Sequence, residues 1–141
     1  MKSTRIILFA FLTLGISSAA NADTVPKRSK DFTGNYQTLV KDQQASPQIA
    51  GCIASAYDYV KNSKKYDRLG FTKDDIANAT TNEKSSKFSA KDGRKVSAVI
   101  SIPGEARLQK GGTQWDTITL RCGITGGKLK SIEIITATAA K

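Results

Sequence analysis

The chain of 141 residues has the length of a single small domain. It carries 22 lysine and arginine residues against 12 aspartate and glutamate residues, a net charge of +10, and 39% of its residues are hydrophobic. This composition is typical of a folded globular protein and argues against both a disordered chain and a multi-pass membrane protein. The sequence contains no histidine, which excludes Ser-His-Asp catalysis, Cys-His catalysis and zinc binding by histidine.

Residues 1–22 have the pattern of a cleavable signal peptide. Two cations near the start precede an apolar stretch over residues 6–16, and the sequence Ala-Asn-Ala at residues 20–22 matches a cleavage site, so that the mature chain would begin at Asp23. The apolar stretch is shorter than the ~20 residues that a membrane-spanning helix needs. We therefore expect an exported protein, periplasmic or secreted, with no transmembrane span after cleavage.

The segment over residues 23–45 is basic and is expected to be partly flexible. Tyr36, Leu39 and Val40 have helical spacing, which also allows a short helix here, although Gly34 weakens its start. The sequence therefore leaves open whether this segment is helical.

Two helix starts are recognisable in the next part of the chain. Ser46 is a good N-cap, and Pro47 occupies the first helical position, where its missing N–H costs no hydrogen bond. The apolar residues that follow recur with a period of 3.6 residues and form one stripe: Ile49, Cys52, Ile53, Ala56, Tyr57 and Val60. This main helix therefore directs Cys52 into the core. Thr72 and Asp75 have the spacing of a capping box, which predicts a second, short turn of helix.

From residue 83 onward the apolar pattern changes to a two-residue repeat, which is typical of strands. Asp92-Gly93 predicts a hairpin turn, and residues 95–102 form the return strand. Pro103-Gly104 is expected to end that strand. The predicted core face of the strand carries four apolar residues: Val96, Ala98, Ile100 and Ile102.

Residues 114–122 and 129–136 predict two further strands, joined by a glycine-rich turn over residues 123–128. The turn is not a phosphate-binding loop, because no serine or threonine follows its lysine and because a strand, not a helix, comes next. Alternation places Trp115 on the face opposite to the predicted core residues Ile118, Leu120 and Cys122.

Cys52 and Cys122 are the only cysteines, and in an oxidising compartment such a pair predicts a structural disulfide. Both face the core according to two independent periodicities. A bridge that closes about 70 residues would stabilise the fold by roughly 4 kcal/mol through loop-closure entropy. We therefore expect an α+β domain over residues 46–136, followed by a tail over residues 137–141. One main helix packs on a three- to four-stranded antiparallel sheet in this domain, and a single disulfide joins the two layers.

No catalytic constellation stands out, and we expect no enzymatic activity, no metal and no cofactor. The residues of a candidate binding surface are Lys61, Lys64, Lys65, Arg68, Arg94, Lys95 and Trp115. The cations fit either a solvated surface or a site for an anionic lipid or lipopolysaccharide, whereas export and the absence of a nucleic-acid motif argue against nucleic acid. Trp115 either packs on the strand or serves as an exposed anchor for a partner.

The order of these features resembles small exported bacterial proteins of the BspC-domain type. The resemblance covers about residues 49–135 and rests on a few marks: Gly51-Cys52 on the helix, Trp115, Arg121-Cys122-Gly123, the Gly-Gly turn and the terminal strand. It implies a secreted or periplasmic protein, regarded in some pathogens as a type IV secretion effector, with no catalytic residues to carry over.

The sequence thus favours a non-catalytic exported interaction protein of the bacterial envelope, or a secreted effector that acts on a host protein. One alternative is a periplasmic binding or inhibitor module that recognises an anionic envelope ligand. Another is a hydrolase of an unfamiliar type, since scattered carboxylates and Ser-Lys chemistry stay open.

Overall fold

The computed structural model describes residues 25–83 and 85–137. The predicted signal peptide over residues 1–22 and most of the predicted tail over residues 137–141 lie outside these ranges. The helices of the described part are α1 (Phe32–Lys41), α2 (Pro47–Val60) and α3 (Lys73–Ala77). Its strands are β1 (Tyr66–Gly70), β2 (Thr80–Asn82), β3 (Ser86–Lys87), β4 (Lys95–Val96), β5 (Ala98–Leu108), β6 (Trp115–Thr125) and β7 (Lys128–Thr136).

The long strands β5, β6 and β7 form an antiparallel meander at the centre of a curled sheet. On the other side of β5, β2 pairs with residues 99–101 and β1 pairs with residues 105–108. The order is therefore β1-β5-β6-β7, with β2 and β1 along one edge and β7 at the opposite edge. β3 and β4 pair with each other in a separate two-stranded ribbon.

The core lies between α2 and the inner face of the sheet. The Ser46 hydroxyl accepts the Ile49 N–H at the start of α2, and Pro47 follows as the first helical residue, as predicted. The predicted capping box of α3 is also confirmed, because the Thr72 and Asp75 side chains each accept the other's backbone N–H. The core residues of β5 and β6 alternate as the sequence indicates: Ile100, Ile102, Ile118, Leu120 and Cys122.

The mixed α+β class is confirmed, but the helix count and the sheet size differ from the prediction. Within the described residues, α1 packs beside α2 and buries Phe32 and Leu39, so the helical layer has two main helices instead of one. The sheet has five strands instead of three or four. β2 shows no two-residue repeat because all three of its residues are exposed, so its sequence carries no strand signal.

The prediction that Pro103-Gly104 ends its strand is wrong, since β5 continues through the pair to Leu108. Pro103 lies between the part of β5 that pairs with β2 and the part that pairs with β1. No strand pairs with Pro103 on that side, so its missing N–H removes no hydrogen bond there. A Cβ at residue 104 would lie 2.5 Å from the Phe71 ring, so only glycine fits there. Tertiary contacts therefore accommodate both residues inside the strand.

The ribbon of β3 and β4 covers one end of the outer face of the sheet. A small buried cluster forms there: Phe88, Val96 and Val99. The prediction that Val96 shares the core face with Ile100 is therefore wrong, because the strand is interrupted at Ser97. The predicted hairpin exists, although the chain reverses within residues 89–92, slightly before the predicted Asp-Gly turn.

The predicted disulfide between Cys52 and Cys122 is confirmed. Its Cα atoms are 6.0 Å apart and its sequence separation is 70 residues. Both cysteines are buried, on α2 and on β6, so the bridge joins the helical layer to the middle of the sheet.

We predict that the Cys52→Ala/Cys122→Ala double variant loses about 4 kcal/mol of unfolding free energy, because the unfolded chain is no longer constrained by the loop. Urea denaturation of the oxidised wild type and of the variant measures the difference. Wild-type protein treated with a reductant should approach the stability of the variant. Equal stability of all three forms, or two free thiols in the intact mass of the oxidised protein, would contradict the structural role of the bridge.

We also predict that Gly104→Ala destabilises the protein by about 1–3 kcal/mol, because the added methyl group must displace the Phe71 ring. The matched control is Gly34→Ala in α1, where a Cβ meets nothing within 4 Å and alanine gains up to about 1 kcal/mol of helix propensity. Thermal denaturation of both variants checks the opposite signs. A Gly104→Ala variant as stable as the wild type would show that the Phe71 ring does not restrict residue 104.

Candidate functional site

An open groove of about 820 Å³ lies between the N-terminal segment, α1, the first half of α2 and the β6–β7 hairpin. Arg28 lines it from the N-terminal segment and Lys128 lines it from the start of β7. No aspartate or glutamate of the described residues lines it. We therefore call it the basic groove.

The wall formed by α1 is aromatic. Phe32 and Tyr36 lie one helical turn apart and stack with their ring centroids 6.2 Å apart. The guanidinium carbon of Arg28 lies 4.3 Å from the centre of the Phe32 ring, which is a favourable cation–π distance. This cation–π contact stabilises the Arg28 charge without neutralising it.

The wall formed by α2 begins with Pro47 and Gln48 and continues with three small residues. Gly51, Cys52 and Ser55 line the groove, and Cys52 carries the disulfide to β6. Small side chains leave space above the helix, while the bridge fixes the distance between this wall and the sheet. The disulfide therefore holds the α2 wall of the groove against β6.

Another wall is the β6–β7 hairpin. The sequence predicts a turn over residues 123–128, but only Gly126 and Gly127 form it, because β6 continues to Thr125 and β7 begins at Lys128. Gly126 and Gly127 have positive φ angles of 57° and 71°, and Thr125 pairs with Lys128 across them. This geometry is typical of a two-residue type I′ turn, which favours glycine at both positions. The turn sets Lys128 at the rim of the groove.

Polar contacts fix the N-terminal segment to the end of α2, and we call them the N-terminal latch. The Ser29 N–H donates to Oδ2 of Asp58 at 2.9 Å. The Lys61 ammonium lies 3.3 Å from the other oxygen of Asp58 and 3.1 Å from a carboxylate oxygen of Asp31. Burial alone would raise the pKa of Asp58, but the hydrogen bonds from Ser29 and the ion pair with Lys61 outweigh it and lower the pKa. The latch keeps the wall that contains Arg28 in place.

The predicted surface residues do not form one patch, because the sheet separates them. Arg94 and Lys95 belong to the ribbon near the groove end of β6, where Thr125 contacts the Lys95 carbonyl. Lys65, Arg68 and Trp115 lie at the other end of the sheet, roughly 30 Å away at ~3.3 Å per residue along β6. Of the remaining two predicted residues, Lys61 belongs to the latch and Lys64 is exposed beyond α2.

Trp115 is 41% exposed, and its ring packs over Gly70, where an added Cβ would lie 3.5 Å from it. At the same end of the sheet, Tyr66 donates its hydroxyl hydrogen to Asp116 at 2.9 Å, and Lys65 contacts Asp116 at 3.6 Å. Thr136 accepts from the Lys65 ammonium at 2.7 Å. These contacts tie β1 to β6 and β7, so the Lys65 charge is engaged within the fold.

Sequence reasoning missed the basic groove. Arg28 belongs to the basic run at residues 27–30, and Lys128 belongs to the glycine-rich turn at residues 123–128, so each residue is visible in the sequence. Nothing in either segment indicates that Arg28 and Lys128 line the same groove. About 100 residues separate them, and the latch that positions Arg28 is a tertiary contact.

A comparison with protein-family models finds no match, and comparisons with curated proteins and with solved structures find none either. Over residues 25–83 and 85–137, the structure contains no group of three or more cysteine, aspartate or glutamate residues that could hold a metal ion. Over the same ranges, no helix combines the length and the hydrophobicity that crossing a membrane requires.

We predict that Asp58→Asn weakens the latch and lowers the unfolding free energy by about 1–3 kcal/mol at pH 7, because charged hydrogen bonds are lost. The N-terminal segment should also be cleaved faster by trypsin within residues 27–30. The exposed Asp42→Asn is the control and should change neither measurement.

The effect of Asp58→Asn should depend on pH. The lowered pKa of Asp58 means that its stabilising contacts are complete above its ordinary pKa and are lost as the pH falls through the lowered value. The stability difference between wild type and variant should therefore shrink below about pH 4. A difference that stays constant down to pH 2.5 would show that the Asp58 charge does not hold the latch.

Proposed function

We propose that the protein is an exported, non-catalytic interaction protein that binds an acidic protein partner in the basic groove. Its export is inferred from the pattern of residues 1–22. The resemblance to BspC-domain proteins supports a partner in the bacterial envelope or, for a secreted effector, in a host cell.

One observation carries this proposal: Arg28 and Lys128 approach the same groove from separate elements without a carboxylate among its described lining residues. Ion pairs in the described part of the chain neutralise other cations, including Lys61, Arg107 and Arg121. Unpaired cations in a concave site attract anionic groups and accelerate association.

The lining favours a protein over a lipid acyl chain. Ser29, Thr33 and Gln48 line the groove together with the aromatic residues, whereas an acyl chain needs an enclosed and continuously apolar cavity. Arginine and aromatic side chains are enriched at the centres of protein interfaces. The groove therefore fits a polypeptide that presents both carboxylates and apolar side chains.

An anionic envelope ligand is the second candidate, and a separate observation favours it. Exposed lysines continue from the groove along the hairpin and the ribbon: Lys87, Lys95, Lys128 and Lys130. A series of exposed cations of this kind fits the phosphates of a lipopolysaccharide or of an anionic membrane.

We predict that Arg28→Glu/Lys128→Glu weakens partner binding about tenfold or more, because two attractive charges become repulsive. The oxidised protein, immobilised on beads, is incubated with a bacterial envelope extract and with a eukaryotic cell lysate at increasing salt concentrations. A specific partner should be retained by the wild type and lost from the variant, and its retention should decrease with salt.

The control is Lys73→Glu/Lys110→Glu, which changes the net charge equally at two exposed positions outside the groove. It should retain the partner. Circular dichroism and urea denaturation verify that both variants are folded. Equal retention by the two variants rules out the basic groove as the site. Sedimentation of the wild type, but not of the groove variant, with anionic phospholipid vesicles would favour the second candidate.

A further inference from the structure

The nine-residue strand β7 is a free edge of the sheet. It pairs with β6 along one side, and no other described strand pairs with it. The opposite edge of the sheet differs, because β1 and β2 follow one another along β5 there. An unpaired edge offers a row of N–H and C=O groups to another extended chain. In β7 this row is interrupted at Lys130, where the pairing with β6 shifts register, so the regular part of the edge comprises residues 131–136.

β7 and the basic groove are continuous. Lys128 and Leu129, the first two residues of β7, line the groove. A chain segment that lies beside the start of β7 would therefore have its side chains next to Arg28 and the aromatic wall of α1. The edge and the groove together offer main-chain hydrogen bonds and side-chain contacts to one ligand, as in β-strand addition.

We propose that the acidic partner binds as an added β-strand along the free edge of β7 and places carboxylate side chains beside Arg28 and Lys128. This inference rests on the proposed function and adds the binding mode to it.

The charges along β7 indicate which kind of chain would bind there. Lys128 and Lys130 are exposed at the start of β7, while its one acidic residue, Glu133, is engaged by Arg121 at 3.0 Å. The start of the edge is therefore positive, and an extended segment that places glutamate or aspartate beside residues 128–130 complements it. A second copy of this chain would bring a further net charge of the same sign, so we assign the edge to a different protein.

Amide hydrogen exchange with a defined peptide tests the binding mode. The probe is a capped octapeptide of glutamate, valine and threonine, added to the oxidised wild-type protein. In a regular β-strand, alternate N–H groups point to opposite sides, so those of β7 that point away from β6 should become protected at least tenfold over residues 131–136, beyond the register shift at Lys130. The amides that already bond to β6 should change little.

Two peptide controls separate main-chain pairing from charge attraction without altering the protein. A peptide that is N-methylated at every residue cannot donate along either edge and should bind about tenfold more weakly or worse. The unmethylated peptide with lysine in place of glutamate should not bind.

The outcomes distinguish this inference from the proposed function. Binding of the glutamate peptide that depends on Arg28 and Lys128 but gives no alternating protection of β7 overturns strand addition and leaves the basic groove as the site. Equal binding of the N-methylated peptide, or no binding of the glutamate peptide at millimolar concentration, also overturns strand addition. Concentration-dependent dimers with the same protected amides in the absence of peptide would assign the edge to a second copy and overturn the proposal.

Discussion

The Cys52–Cys122 bridge fixes α2 against the middle of β6, and the other parts of the molecule are positioned through this junction. α2 can bury its apolar stripe only while it stays against the sheet. α1 packs on α2, and the N-terminal segment is held to α2 through Asp58. The basic groove is formed by these same elements, and Cys52 lies in its wall. Four elements form the groove, so a change in the position of α2 would move its own wall and those of α1 and the N-terminal segment relative to the hairpin.

The sequence predicts those parts of the fold that depend on local chemistry. The Ser46-Pro47 start of α2 and the inward alternation that leads to Cys122 require only neighbouring residues and a regular period, and the structure confirms them. The course of β5 through Pro103-Gly104 is decided by distant contacts. Pro103 is tolerated at a gap between partner strands and Gly104 is required by Phe71, so local rules give the wrong result there. The sequence of β2 has no apolar alternation, because all three residues are exposed. Its strand structure comes from its pairing with β5.

The candidate site was less predictable than the fold for the same reason. The residues that form a basic cluster in the sequence need not share a face, and the sheet separates Arg68 from Arg94 by most of its length. Conversely, Arg28 and Lys128 are far apart in sequence and line the same groove because the latch and a type I′ turn direct two separate segments to it. Charge counting can reveal an excess of cations, but their arrangement follows from tertiary contacts.

The distribution of ion pairs explains why the groove keeps its charge. In the described part of the chain, the carboxylates of Asp31, Asp58 and Asp116 are already engaged by Lys61 and Lys65 along α2 and the far end of the sheet. None of them is free to turn toward the groove without breaking a contact that secures an element of the fold. Arg28 instead rests on an aromatic ring, which stabilises the cation without neutralising it. Within the described residues, the fold thus engages these three carboxylates elsewhere, and none of them neutralises the positive charge of the groove.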